Sequence, residues 1–430
     1  MDAMSTLPHL SSLAPVIPSR DGEASDVAHM LNVLRTELHA ELVDHILPYW
    51  MRHTVDHTQG GFVGHVDASN APDVEAPRGA VLNARILWTF SAAYHRLGTP
   101  AYREMADRAA AYVMGPFMDA EHGGVFWSIH PDGTPHEDRK HVYAQSFAIY
   151  GLVEHFRATG TRASLQAAVD LFHLVERYAA DPVHGGYDEA FARDWTLLDD
   201  LRLSEVDDAE RRSMNSHLHI LEAYTHLYRV YPDAHLHERL LHVLDLLAGY
   251  IVNPATGHLW CFLDETWHPR SDVISFGHDI EASWLMLEAA DVLGDPEVRI
   301  HTRELILRMA AVTLEEGRDA DGGLFEEAWP DGRVSTDKEW WPQAEAIVGF
   351  LNAYQETQEP RFLEAALASW RFVQRHLADR TGGEWYRRVN REGVPYPEHE
   401  KVGEWKCPYH NGRACLEGME RTERLLAAVT

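Results

Sequence analysis

Gly60-Gly61-Phe62, Gly123-Gly124-Val125-Phe126, Gly185-Gly186-Tyr187, Gly257-His258-Leu259-Trp260, Gly322-Gly323-Leu324-Phe325 and Gly382-Gly383-Glu384-Trp385 are six variants of one glycine-plus-aromatic turn. From first glycine to first glycine they lie 63, 62, 72, 65 and 60 residues apart. Recurrence at so regular a period marks repeated supersecondary units, each unable to bury its apolar face without its neighbours. Outward from each turn the grammar is constant. A helical stretch precedes it, as in residues 102–117 or 233–251. Short alternating segments flank it as a hairpin. A second helical stretch follows, as in 78–97 or 211–231. In the last of these Met214, Leu218, Leu221, Tyr224, Leu227 and Tyr228 recur at three- and four-residue spacing, one face of a helix.

Six pairs predict twelve helices in an all-α ring, inner helices coming from the second member of each pair. An open superhelix is the alternative. Closure is favoured because six units of this size suit a toroid and neither end carries a polar capping repeat. All inner helices then run the same way, so their N-termini gather on one face together with the hairpins. These loops run to roughly 15–25 residues against a usual ~4–6, and long loops tend to carry function. The repeat alone therefore places a site at the starts of the inner helices, under the hairpins.

Composition narrows the chemistry. The 430 residues are 45% hydrophobic and 24% charged, enough for a large core without disulfide or metal support. Residues 1–26 are rich in Ser, Pro and Asp and lack an apolar run; they read as a flexible N-terminal extension, not a signal peptide. Residues 27–430 read as one catalytic domain. A formal charge of −29 repels phosphate backbones and anionic lipid but leaves a neutral sugar indifferent. Nucleic acid and membrane are therefore not expected partners. Three cysteines, Cys261, Cys407 and Cys415, without CxxC spacing suggest a reducing compartment; a cytoplasmic monomer or weak homodimer is the expectation. No GxGxxG, GxxxxGK[ST] or GxSxG motif occurs, so no cofactor is expected.

The starts of the inner helices hold the candidate residues. The fourth opens Ser275-Phe276-Gly277-His278-Asp279-Ile280-Glu281. His278 and Glu281, three apart, share a helix face, so Glu281 is placed to orient His278; a surface ion pair is the alternative. The sixth is preceded by Trp405-Lys406-Cys407-Pro408-Tyr409-His410-Asn411-Gly412-Arg413. Pro408 suits a first helical turn, which puts His410 near a helix N-terminus, where the dipole disfavours imidazolium. A capping or packing histidine is the plainer reading. Asn215, His219 and Glu222 form a polar stripe on the third inner helix. His217 and His219, two apart, point in nearly opposite directions, so a shared zinc is not expected, and no metal is assigned. Arg85 sits inside the apolar run Leu82–Trp88, so it pairs with a buried acid or faces a cavity. Tyr143 and Gln145 stand near the start of the second inner helix. Trp340 and Trp341 offer rings for the apolar face of a sugar, or for the core.

Four stretches carry a resemblance: Ser213-Met214-Asn215-Ser216-His217-Leu218-His219-Ile220-Leu221-Glu222-Ala223-Tyr224, Ser275–Trp284, Trp340-Trp341-Pro342-Gln343-Ala344-Glu345-Ala346 and Trp405–Arg413. Together they resemble the cellobiose 2-epimerases of the N-acylglucosamine 2-epimerase superfamily, in order and across residues 30 to 425. The resemblance implies an (α/α)6 barrel of six helix pairs with short β-hairpin loops over the site. It implies a cofactor-independent inversion at C2 of a reducing-end glucose or mannose unit, through ring opening, two-histidine proton transfer and a cis-enediolate. His278 and His410 would be the acid/base pair, assisted by Glu281, His219 and Arg85. Tyr143, Asn215, Trp341, Trp405 and Glu345 would hold the substrate, and Ser204, Asp207 and Glu327 would contact its second sugar. Pro342 and the long N-terminal extension depart from the pattern. The runner-up is a mannose 2-epimerase or aldose–ketose isomerase acting on the free monosaccharide. A glycoside hydrolase ranks third, with Glu281 and Glu345 as its carboxylates.

Overall fold

The computed structural model describes residues 20–429 apart from 205–207 and 209. In chain order its helices are α1 (Arg20–Ala40), joined through a π-helical turn to α2 (Leu47–His53), then α3 (Ala80–Leu97), α4 (Pro100–Met114), α5 (Val142–Thr159), α6 (Arg162–Tyr178), α7 (Met214–Tyr228), α8 (Ala234–Leu246), α9 (Phe276–Leu293), α10 (Pro296–Val312), α11 (Trp340–Thr357), α12 (Pro360–Phe372) and α13 (Tyr409–Val429). With α1 and α2 counted as one rod, they form six pairs. The inner helices α3, α5, α7, α9, α11 and α13 pack in that order, and α13 returns to α3. The ring is closed, an (α/α)6 barrel and not an open superhelix. Residues 20–26, expected in the N-terminal extension, already belong to α1; residues 1–19 lie outside the described residues.

Local chemistry explains the alternation. Inner helices are buried all round, as in α5, where every residue from Val142 to His155 is buried; a helix surrounded by protein needs no polar face. Outer helices bury one stripe, which in α6 includes Ala168, Val169, Leu171, Phe172 and Val175. Inner helices hand over to outer ones through tight stops. Gly98 and Gly294 end α3 and α9 in the left-handed region, at φ 68° and 73°, and Pro100 and Pro296 open the next helices.

Each glycine turn carries the same antiparallel bridge: Val55–Phe62, Met118–Val125, Ala180–Tyr187, Val252–Leu259, Arg318–Leu324 and Ala378–Trp385. The strands also join different units, which the repeat grammar did not reveal. The two residues before an inner helix pair with the hairpin of the next unit: Arg78–Gly79 with Ser128–Ile129, Lys140–His141 with Ala190–Phe191, Arg212–Ser213 with Phe262–Leu263, Ile274–Ser275 with Glu327–Ala328, and Lys338–Glu339 with Arg388–Val389. A bridge from Val66 to Val402 joins the first unit to the sixth.

A buried cation anchors most of these junctions. Arg78 meets Asp56 at 2.5 Å, Lys140 meets Asp119 at 3.0 Å, Arg212 meets Asp181 at 2.5 Å, Lys338 meets Asp319 at 2.9 Å and Lys401 meets Asp379 at 2.8 Å. The fourth unit has Asn253 and Ile274 at these places, and there His258 meets Asp279 at 2.7 Å instead. Each pair ties a glycine turn to the segment that starts an inner helix. No described helix is long and apolar enough to cross a membrane.

Candidate active site

The hairpin face of the barrel opens on a cavity of about 510 Å³. Of the residues expected there, Arg85, Tyr143, Ser204, Asn215, His219, His278, Glu281, Trp341, Trp405 and His410 line it. They come from α3, α5, α7, α9, α11 and the segment that starts α13, so the whole inner ring contributes. Trp341 neighbours both candidate bases, its ring 4.6 Å from His278 and 5.6 Å from His410, centroid to centroid. Gly277 makes that approach possible, since a Cβ there would sit 2.5 Å from the Trp341 ring.

Each histidine is held by its Nδ1, leaving Nε2 as the other ring nitrogen. His410 donates from Nδ1 to Glu345 Oε1 at 2.7 Å. His219 donates from Nδ1 to Glu222 Oε2 at 2.8 Å. His278 Nδ1 lies 2.7 Å from the Ser275 hydroxyl. This corrects two expectations. Glu281 does not orient His278; it accepts from Arg413 Nη2 at 2.6 Å. Glu345, expected at the substrate, does not line the cavity; it is fully buried behind His410, and its other oxygen accepts from Trp284 Nε1 at 3.0 Å.

Arg413 was quoted in the sequence motif without a role, and it is the hub beneath the cavity. Its Nη2 meets both Glu281 and Glu345, at 2.6 and 2.7 Å, and its Nη1 meets Glu222 and the Tyr409 hydroxyl. Three carboxylates from α7, α9 and α11 thus share one guanidinium from α13. Glu281, Glu345 and His410 place ligand-type atoms within 4.8 Å of one another, but Arg413 already supplies the cation that such a cluster needs.

The charges are not equivalent. Burial raises the Glu222 carboxyl, but Arg413 and the bonds from His219 and Tyr409 outweigh it and hold it at about 2. Burial likewise opposes Glu345, yet Arg413 and His410 keep it below the usual range. Glu281 goes the other way: burial and the neighbouring Glu345 charge push it up, and Arg413 offsets only part of this. Of the three carboxyl groups, Glu281 is the one whose environment most favours the protonated form. Burial pushes both candidate bases down, His278 to about 3 with help from His219 and His410, and His410 to about 3 against the pull of Glu345. Both are neutral imidazoles at pH 7.

Arg85 faces the cavity and has no carboxylate partner among the described residues. It donates from Nη2 to the Tyr143 hydroxyl at 2.8 Å and packs its guanidinium 4.1 Å from the Phe147 ring. Burial opposes its charge, but Tyr143, Cys407 and Tyr409 more than compensate. It is a fixed positive charge on the cavity wall.

The far wall was only partly legible. Glu326, Glu339, Trp340, Arg387, Arg388 and His399 also line the cavity. Arg388 bonds Glu326 and Glu339, the latter at 3.0 Å. Glu327, the expected sugar contact, lines a smaller adjoining space with Asn215, Ser275 and His278. Asp207 lies outside the described residues. His217 is structural: its Nε2 accepts from the Tyr187 N–H at 3.2 Å, away from His219. Gln145 closes a hairpin by bonding both backbone groups of Val125.

The model of the N-acylglucosamine 2-epimerase family matches residues 39–414. The chain belongs to this family. Within the family it is similar to a cellobiose 2-epimerase of Bacteroides fragilis, 44% identical over 90% of this chain and 99% of that one. The solved cellobiose 2-epimerase of Spirochaeta thermophila is 43% identical, with a TM-score of 0.84 over 93% of this chain and 98% of that one. That of Bacillus thermoamylovorans is 38% identical, with a TM-score of 0.87 over 91% and 100%. Membership makes the chain a carbohydrate epimerase.

Proposed function

We propose that the chain inverts C2 of the reducing-end unit of cellobiose-type β-1,4-linked disaccharides. One observation carries the reading: two neutral imidazoles from separate inner helices, His278 and His410, line one cavity and neighbour one tryptophan. The names of the relatives support the disaccharide as substrate.

The chemistry follows from an aldose's own acidity. C2–H is acidic only beside an open aldehyde, so the ring opens first by proton movement between O5 and O1. One imidazole then removes the C2 proton, as a neutral base suited to general base catalysis. The C–H electrons become the C1–C2 double bond of an enediolate, and negative charge grows on O1 and O2. Arg85, with Tyr143 and His219 beside it, supplies preorganised stabilisation for that charge. Rotation about C2–C3 presents the other face to the second imidazole, which takes a proton from solvent at Nε2 and delivers it to C2. The first imidazolium gives its proton back to solvent, so both rings end neutral. Trp341 and Trp405 hold the sugar rings, and Asn215 and Ser204 contact its hydroxyls. Glu281 and Glu345 meet the same guanidinium nitrogen instead of facing each other across the cavity, which disfavours hydrolysis. Three free cysteines, two of them buried, support work in a reducing compartment.

Incubation with cellobiose in heavy water tests the reading. The expected result is a glucosyl-mannose product with deuterium at C2. A glucosyl-fructose as the main product would replace epimerase by isomerase, and free glucose would restore the hydrolase. Acid tolerance is a further expectation. Both bases have depressed pKa values, so their working neutral form is lost only as pH falls toward those low values. A kcat/KM profile should stay flat from pH 7.5 down through 6, where an ordinary imidazole of pKa ~6.5 would already be mostly protonated. A tenfold fall by pH 5.5 would contradict this.

A further inference from the structure

Two inner helices, α7 and α9, are preceded by serine. Serine is favoured at that place because its hydroxyl accepts an N–H from the first helical turn. Ser213, before α7, does so, accepting from the Ser216 N–H at 3.1 Å. Ser275, before α9, makes no such bond. Its hydroxyl is diverted to the His278 ring, at 2.7 Å from Nδ1. The serine is buried at 8% exposure, and its backbone is fixed from the other side, because Ile274 and Ser275 pair in register with Ala328 and Glu327 of the next unit. A residue suited to close a helix end thus leaves that end open and holds a ring instead.

The two candidate bases are therefore backed by different groups. Behind His410 stands an ionised carboxylate, which only accepts; behind His278 stands a hydroxyl, which both accepts and donates. We propose that Ser275 is a positioning residue for His278. It holds the ring by Nδ1, directs Nε2 to the cavity, and accepts from Nδ1–H when the ring becomes an imidazolium. The step balances without another reactant. The C2–H bond breaks, its electron pair forms the C1–C2 double bond, and the proton goes to Nε2. When Nε2 gives its proton to carbon, the ring is neutral again, Nδ1 keeps its hydrogen and the Ser275 hydroxyl goes on accepting from it. The inference rests on the two-base reading above.

The experiment measures deuterium entry at C2 separately from the glucose-configured and the mannose-configured disaccharide. His278→Ala and His410→Ala serve as references, each expected to exchange only one of the two epimers. Ser275→Ala should slow exchange of the epimer that His278→Ala silences, by roughly 10- to 100-fold for a hydrogen bond to a charged group. KM and the exchange of the other epimer should be nearly unchanged. Ser275→Thr, in a protein melting at the wild-type temperature, should restore the rate. Asp295→Ala removes a plain cap from outer helix α10, where Asp295 accepts from Glu297 and Val298, and should lower stability with no asymmetry between epimers. Equal slowing of both epimers by Ser275→Ala, or unchanged exchange of both, would overturn the positioning role while leaving the two-base reading intact. If neither reference variant distinguishes the epimers, the two-base reading fails and the proposal falls with it.

Discussion

Replacing His410 by alanine is expected to lower net epimerisation by roughly 10⁴-fold, the upper range for loss of a positioned acid/base group. The loss follows from geometry. Inversion requires a proton to leave one face of C2 and arrive at the other, and a single imidazole on one wall reaches one face only. His278→Ala should be equally inactive in net turnover. The two variants should differ in exchange: each retains the base for one epimer, and that epimer alone should take up deuterium from heavy water. Glu345→Gln gives the intermediate case. The amide keeps an oxygen facing His410 Nδ1 but has no charge to stabilise the imidazolium, so kcat should fall with little change in KM. Proton NMR at C2, started from each epimer in turn, reads all three variants. Exchange of both epimers by either alanine variant would show that one base serves both faces.

Arg413→Met is expected to cost about 3–5 kcal/mol of stability, the range for removing one partner of a buried ionic group. Arg413 is fully buried and is the shared cation for Glu222, Glu281 and Glu345. Without it, carboxylates from three inner helices face one another with only the neutral donors His219, His410, Tyr409 and Trp284 bonded to them among the described residues. The pH dependence has a definite sign. In the variant the folded-state carboxyl pKa values rise above their unfolded values. The deficit is then greatest above the raised values and shrinks as pH falls through them. Denaturant titrations at pH 8 and pH 5.5 should give a larger wild-type-to-variant gap at pH 8; a gap that grows on acidification would refute the shared-cation account. Arg413→Lys should recover only part of the loss, because a point charge does not reproduce a fork that bonds two helices' carboxylates at once. Activity should fall with stability, since Arg413 holds Glu345 and Glu345 holds His410.

The site was half legible before any coordinates. His278, His410, His219, Asn215 and Arg85 stood out because they interrupt apolar helix starts at places where the repeat predicts a cavity. Their partners did not. Glu281 was assigned to His278 by spacing along one helix, yet the bond that forms is to Ser275, and Glu281 turns to an arginine from another helix. The family resemblance implies a sugar contact at Glu345, but the turn of its helix points it inward behind His410. Glu326, just before the two-residue strand Glu327–Ala328, carries no periodic signal that would place it on the cavity wall. Spacing along one element says which side chains share a face; it says nothing of what the next element brings against that face.

What the chain's own order of residues determined is the repeat, and with it the barrel. Period, helix stripes, glycine stops and prolines are all local, and local geometry adds up to six pairs in a ring whose hairpins cover one end. What only the tertiary structure decided is the proton chemistry. The Arg413 cluster joins residues 222, 281, 345 and 413, and the inter-unit strands pair residues some 50 positions apart. Electrostatic energy depends on distance and burial, not on position along the chain. The ionisation of these groups was therefore settled when four helices closed around one guanidinium.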